Sequence, residues 1–198
     1  MRKNDIETKF GGLIRVLMTS EITANRKELD FFEGLDGVIS LVAGQCAKSP
    51  KKKMMFIGNG GSAAIASHQA LDFFLNCGIK ATAFNDPCFL TCMANDFGYE
   101  NVFAKQILPV AEKGDVLVAI SSSGKSPNIL KGVEAAREKY CHIVTMSGFK
   151  PDNPLRKKGD INLYVNSESY RFVEASHYLY LDFILEMVIG EMKNKNRE

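Results

Sequence analysis

The sequence predicts an α/β protein, a three-layer αβα sandwich around a central five-stranded parallel sheet, preceded by N-terminal helices. Three observations carry that prediction. From residue 54 onward, short apolar runs alternate with stretches of helical periodicity, the order that parallel strands joined by helical crossovers produce. The run Val116-Leu-Val-Ala-Ile120 is apolar without alternation, as in a strand covered on both faces. Two strand-to-helix junctions, Gly58-Asn-Gly-Gly-Ser62 and Ser121-Ser-Ser-Gly-Lys-Ser126, are polar Gly/Ser turns of the kind that line a ligand crevice at one edge of an open sheet.

Each element has its own signal. Residues 6–47 read as helical throughout, with Phe10, Leu13, Ile14 and Leu17 on one stripe. Leu29, Phe32, Leu35, Val38, Ile39 and Val42 form another, and the break near 20–25 makes two helices. Apolar runs place strands at 54–58, 79–84, 115–120, 142–147 and 161–165. Helices are expected at 62–75, within 89–110, at 126–139 and at 172–192, with a short helical turn near 153–158. Pro127 stands where a first-turn proline belongs and Ser126 where an N-cap does. The loop-rich segment 148–159 is expected close to a ligand.

With 198 residues and 45% hydrophobic content, the chain can bury a substantial core, and one domain over 1–198 is expected, with 1–50 packing on the sheet or on a neighbouring subunit. A net charge of +2 with interspersed signs leaves no footprint for nucleic acid. The basic run 48–53 reads as a solvated connector. No apolar run approaches the roughly 18 residues of a membrane span, and the polar start shows no secretion signal, so a cytoplasmic protein without a membrane partner is expected. Five cysteines, Cys46, Cys77, Cys88, Cys92 and Cys141, read as reduced core residues.

The serine loop places four hydroxyls and a helix N-terminus at one point, a cradle for phosphate or another oxyanion, to which Lys125 can add charge. The upstream loop lacks both the Gly-Lys-Ser/Thr ending of nucleotide hydrolases and the spacing of the dinucleotide fingerprint, so no nucleotide cofactor is expected. Its glycines allow close backbone approach to a ligand, and Asn59 and Ser62 offer hydrogen bonds. His68 and Asp72 share a helix face by their spacing of four. Glu174 and Asp182 lie two turns apart on an otherwise apolar helix. One His and three carboxylates are a plausible divalent-metal set; surface acids on helices are the alternative.

Together, Gly58-Asn-Gly-Gly-Ser62 followed by His68, Ala94-Asn-Asp-Phe-Gly98 and Ser121-Ser-Ser-Gly-Lys-Ser126 resemble the SIS (sugar isomerase) domain over essentially the whole chain. Within that family the chain is most similar to the phosphoheptose isomerases, which convert sedoheptulose 7-phosphate to D-glycero-D-manno-heptose 7-phosphate on the way to lipopolysaccharide precursors. The resemblance implies the SIS fold, a homotetramer with sites between subunits, and a sugar-phosphate ligand. It implies sugar contacts from Asn59, Gly60, Gly61, Ser62, Asn95, Asp96 and Glu174, and phosphate contacts from Ser121, Ser122, Ser123 and Ser126. The isomerases carry a His and a Glu four residues apart on one helix, and a Gln and a His eight apart on the last. These four can hold zinc, and the Glu and the second His are the acid–base pair. They fall here on His68, Asp72, Glu174 and Asp182, so only the first His is kept. Asp72 is then expected as base and Asp182 as acid, with a divalent ion shared by all four. His177 is a candidate acid–base substitute, and His142, opening a strand, is structural. A non-catalytic SIS protein that binds phosphosugars or a protein partner, as one relative binds the bacterial replication initiator, stays open beside the isomerase.

Overall fold

The computed structural model describes residues 2–47, 49 and 51–195. Lys48 and Pro50 of the basic run lie outside the described residues. The first helix, α1 (Arg2–Met18), has no buried residue. The segment after it corrects the expectation of two helices parted only by a break near 20–25: β1 (Glu21–Ala24) and β2 (Lys27–Leu29) form an antiparallel hairpin, which puts Leu29 in a strand rather than on the second helix. Its two-residue turn, Asn25 and Arg26, has φ of 48° and 67°, the doubly positive geometry that suits a twisted hairpin. β1 is held from outside the segment, because Ile22 pairs with Leu163 and buries its side chain. Helix α2 (Phe31–Val42) starts on Asp30, whose carboxylate accepts the N–H groups of Phe32 and Glu33.

The remainder alternates as the pattern requires: β3 (Lys53–Ile57), α3 (Gly61–Cys77), β4 (Lys80–Ala83), α4 (Pro87–Phe97), α5 (Val102–Val110), β5 (Val116–Ser121), α6 (Pro127–Glu138), β6 (His142–Gly148), β7 (Ile161–Val165) and α7 (Tyr170–Lys195). The sheet runs β2-β1-β7-β6-β5-β3-β4, with seven strands among the described residues. The five expected strands, β3 to β7, are mutually parallel, and the hairpin adds two more, with β1 antiparallel to β7. One apolar layer joins α2, α3 and α7 to residues such as Phe56, Val118 and Met146. The other joins α5 and α6 to Ile57, Leu117 and Ile143. Every residue of β5 is buried, which is why its sequence is apolar without alternation. At the base of the sheet, fully buried Asp115 accepts bonds from the Lys53 backbone and Nζ and from the Glu112 N–H, fastening β3 to β5.

Cys46, Cys77 and Cys141 are buried, and burial pushes their thiols up to about 12, 11 and 11, which keeps them protonated and unreactive at neutral pH. Cys88 and Cys92 correct the core assignment: both are exposed, on α4, a helix with no buried residue. Among the described residues no helix is long and apolar enough to cross a membrane.

Candidate functional site

The parallel strands run in the order β4-β3-β5-β6-β7, so the chain leaves β3 toward one edge and β5 toward the other. Their carboxyl ends therefore part, and the crevice between them is where an open α/β sheet receives ligands. A cavity of about 140 Å³ lies there, lined by Asn59, Ser62, Ile120, Ser121, Ser122, Ser123, Ser126, Tyr170 and Glu174. All four phosphate-loop serines anticipated from the sequence face this one space.

The helices at the crevice have open N-termini. Ser126 stands at the N-cap of α6, but its side chain makes no cap bond; its Oγ lies 3.4 Å from Ser121 Oγ. Gly60 heads α3 without a side chain to cap it. In α6, Pro127 has no N–H and Asn128 Oδ1 takes the Ile129 N–H. Among the described residues the Asn128 N–H, with those of Gly61 and Ser62 in α3, is thus left for a ligand oxygen, where the helix dipoles favour negative charge. Among the described residues, Ser122 Oγ is buried without a protein partner, the condition of a hydroxyl left for a ligand or water.

The loop is braced from behind by the segment 148–159. Gly124 adopts φ of +62°, and a Cβ there would fall 2.0 Å from Asn153 Oδ1, so glycine is required on two counts. Asn153 in turn donates from Nδ2 to the Gly148 and Lys150 carbonyls and accepts the Arg156 N–H. The segment supports the loop rather than joining the cavity lining.

On the opposite wall, Asn59 and Asn128 exchange two amide hydrogen bonds of 2.9 and 2.8 Å, and Asn59 Oδ1 also accepts the Tyr99 hydroxyl at 3.1 Å. Asn128 and Tyr99 escaped the sequence reading. The only hint of Asn128 was its place one residue beyond Pro127 in the first turn of α6. Gly61 lies against the Glu174 carboxylate: a Cβ would stand 2.5 Å from Oε1. Gly61→Ala is expected to leave the fold intact, because Gly61 is already helical, while displacing Glu174 and weakening sugar-phosphate binding by about tenfold or more. Calorimetric titration of the variant checks this.

The acid–base candidates are distributed along α3 and α7. His68 Nε2 lies 3.0 Å from Asp72 Oδ2 and 3.1 Å from the hydroxyl of Tyr178, which the sequence did not single out. His68 stands seven residues, about 10 Å of helix axis, from Gly61. Glu174 is in the crevice. Asp182 is exposed and outside the cavity lining, eight residues or about 12 Å further along α7. Among the described residues no three His, Cys, Asp or Glu side chains are grouped to hold a metal ion. His68, Asp72, Glu174 and Asp182 therefore do not assemble into the expected metal set within one chain. Asn95 and Asp96 are exposed at the end of α4, where Asn95 Nδ2 donates to Asp96 Oδ1; they stand beside the crevice wall through Tyr99 rather than in the cavity.

His177 is the clearest correction. It is fully buried, and Nε2 lies 3.2 Å from the Ser147 carbonyl, which can only accept, so Nε2 carries the proton. Burial pushes its pKa down to about 4, and such a group cannot serve as acid–base substitute from the core. The unfolded chain protonates His177 near 6.5, the folded chain near 4, so between these values the unfolded state holds more protons. This contribution to stability is full above pH 6.5 and is lost as the pH falls toward 4, by on the order of 3 kcal/mol. Denaturant unfolding at neutral and acidic pH is expected to show a shallower acid loss in His177→Gln than in the unsubstituted protein.

Comparison with known proteins agrees with this geometry. The SIS domain family matches residues 24–148. The phosphoheptose isomerase of Campylobacter concisus is 31% identical over 186 residues, covering 89% of this chain and 97% of that protein. That of Helicobacter hepaticus is 32% identical over 194 residues, covering 92% and 98%. The solved structure of the phosphoheptose isomerase from Neisseria gonorrhoeae superposes with a TM-score of 0.79 at 28% identity, covering 95% of this chain and 98% of that one. The chain belongs to the SIS domain family, alongside the phosphoheptose isomerases.

Proposed function

We propose that the protein is an aldose–ketose isomerase acting on a seven-carbon sugar 7-phosphate, interconverting sedoheptulose 7-phosphate and D-glycero-D-manno-heptose 7-phosphate. The observation that carries this reading is the anion cradle, four serine hydroxyls and an open helix N-terminus that line one cavity together with the Glu174 carboxylate. The phosphate sits on the serine loop and the open N-terminus of α6. Six C–C bonds of about 1.5 Å, zigzagged, then carry C1 roughly 8 Å from C7. Along α3, His68 stands about 10 Å and Asp72 about 16 Å from Gly61, beyond the reach of a seven-carbon chain held in this chain's own crevice, so the pair serves a site shared with a neighbouring copy. Sequence relatives bearing the name phosphoheptose isomerase support the same substrate.

Isomerisation breaks the C1–H bond of the ketose, places its electrons in a C1=C2 double bond and protonates the C2 oxygen. The resulting enediol loses the O1 proton and gains a proton at C2. Asp72, held by His68 and brought to the sugar from a neighbouring copy in a homotetramer with sites between subunits, takes the proton from C1 and returns it to C2. Glu174, in the crevice, passes a proton between O1 and O2. Asn59, locked by Asn128 and Tyr99, orients the hydroxyls between anchor and reacting carbons. Incubation with sedoheptulose 7-phosphate, followed by resolution of the two sugar phosphates, tests the reading. Binding without turnover would instead favour a phosphosugar-binding protein.

Self-association belongs to the same reading. Ile14, Leu17, Met18, Phe31, Phe32, Leu35, Phe183 and Met187 line an apolar groove of about 510 Å³ between α1, α2 and α7. Ile14, Met18, Phe32, Phe183 and Met187 are each more than half exposed, a patch that further copies of the chain would cover in a homotetramer. Phe183→Glu is expected to shift the protein to smaller species, read by sedimentation, and to lower activity if sites lie between subunits.

A further inference from the structure

We infer that His177 positions the phosphate loop, by heading a line of aligned peptide groups that ends at the anion. The inference rests on the crevice being the phosphate site. Its Nε2–H donates to the Ser147 carbonyl at 3.2 Å. The same peptide unit continues as the N–H of Gly148, which donates to the Ser122 carbonyl at 3.0 Å. In a trans peptide the C=O and the following N–H point in opposite directions, so the N–H of Ser123 is aimed away from Gly148. β5 lies between β6 and β3, and away from β6 means toward the end of β3. That is the crevice, which Ser122 and Ser123 both line.

The line therefore runs from the buried imidazole through two peptide units to an N–H at the anion. Hydrogen bonds in such a chain polarise one another, each strengthening the next by roughly 10–30%. The direction matters: a donor at the buried end makes the exposed N–H a better donor, whereas an acceptor there would oppose it. His177 supplies a donor, and its unpartnered Nδ1, buried without a hydrogen bond, identifies the neutral ring. A neutral donor suits the place. It fixes the peptide without putting a positive charge in the core.

His177→Leu removes the donor, whereas His177→Gln keeps an N–H at a similar reach. In the full-length protein, calorimetry with inorganic phosphate is expected to show affinity about tenfold weaker for His177→Leu. KM for sedoheptulose 7-phosphate should rise with it while kcat stays within about twofold, because uniform binding is what has been lost. The Ser123 amide proton should move upfield in the NMR spectrum. His177→Gln should restore affinity, KM and amide shift together, which a residue that only fills the core would not do. A folded Leu variant with unchanged phosphate affinity, or a Gln variant as weak as Leu, overturns the inference. Should the Leu variant not fold, His177→Asn, whose amide is too short to reach Ser147, takes its place. Unsubstituted protein that binds no phosphate overturns this inference and the crevice assignment together. Binding that is insensitive to these substitutions overturns only the role of His177.

Discussion

Replacing Ser121, Ser123 and Ser126 together with Ala is expected to weaken sugar-phosphate binding by on the order of 10²–10³-fold, since each hydroxyl bonds a charged oxygen. The three line one cavity and none is needed to hold the fold: β5 is fastened through its ladders, and α6 starts on Pro127 without a side-chain cap. The melting temperature should therefore change little. Calorimetry with sedoheptulose 7-phosphate and with inorganic phosphate reads the loss, and equal loss for both ligands would place it at the phosphate. Affinity that survives all three substitutions would move the anchor elsewhere.

Asp72→Asn is expected to lower turnover by on the order of 10²-fold or more while leaving phosphate affinity near its original value. The substitution keeps the shape and a hydrogen-bonding partner for His68 Nε2 but removes basicity. The split between the two measurements is informative because Asp72 and the serine loop stand on different elements, α3 and the β5–α6 junction. A variant with unchanged turnover would transfer the base to Glu174, the carboxylate that lies in the crevice itself.

The five parallel strands and both ligand loops were readable because each is a local signal: a buried apolar run, a glycine turn, a first-turn proline. The His68–Asp72 pair was readable for the same reason, since spacing along a helix fixes proximity. The hairpin was not. Glu21-Ile-Thr-Ala24 carries one buried side chain and becomes a strand through its ladder to β7, which begins at Ile161. Asn128, Tyr99 and Tyr178 were missed on similar grounds. Asn128 and Tyr99 meet Asn59 from 69 and 40 residues away, and Tyr178 meets His68 from 110 residues away. His177 was mistaken for a catalytic candidate because a histidine near a carboxylate on a helix does not announce which face is buried. Asp182 lies outside this chain's own cavity because spacing along a helix fixes its distance from Glu174 and not which cavity it enters.

The hairpin also bears on solubility. A parallel sheet ending at β7 would expose a fully buried type of sequence, Asn-Leu-Tyr-Val, along a row of unpaired backbone groups, an invitation to pair with a strand of any other chain. β1 takes up that row, and β2, three residues long with exposed Lys27 and Glu28, becomes the new border. So short and charged a border offers an incoming strand few bonds and an unfavourable desolvation. At the far side, β4 is four residues long and opens on exposed Lys80. Lengthening β2 with uncharged β-branched residues would be expected to make the protein precipitate during refolding, although no residue of the ligand crevice had been touched.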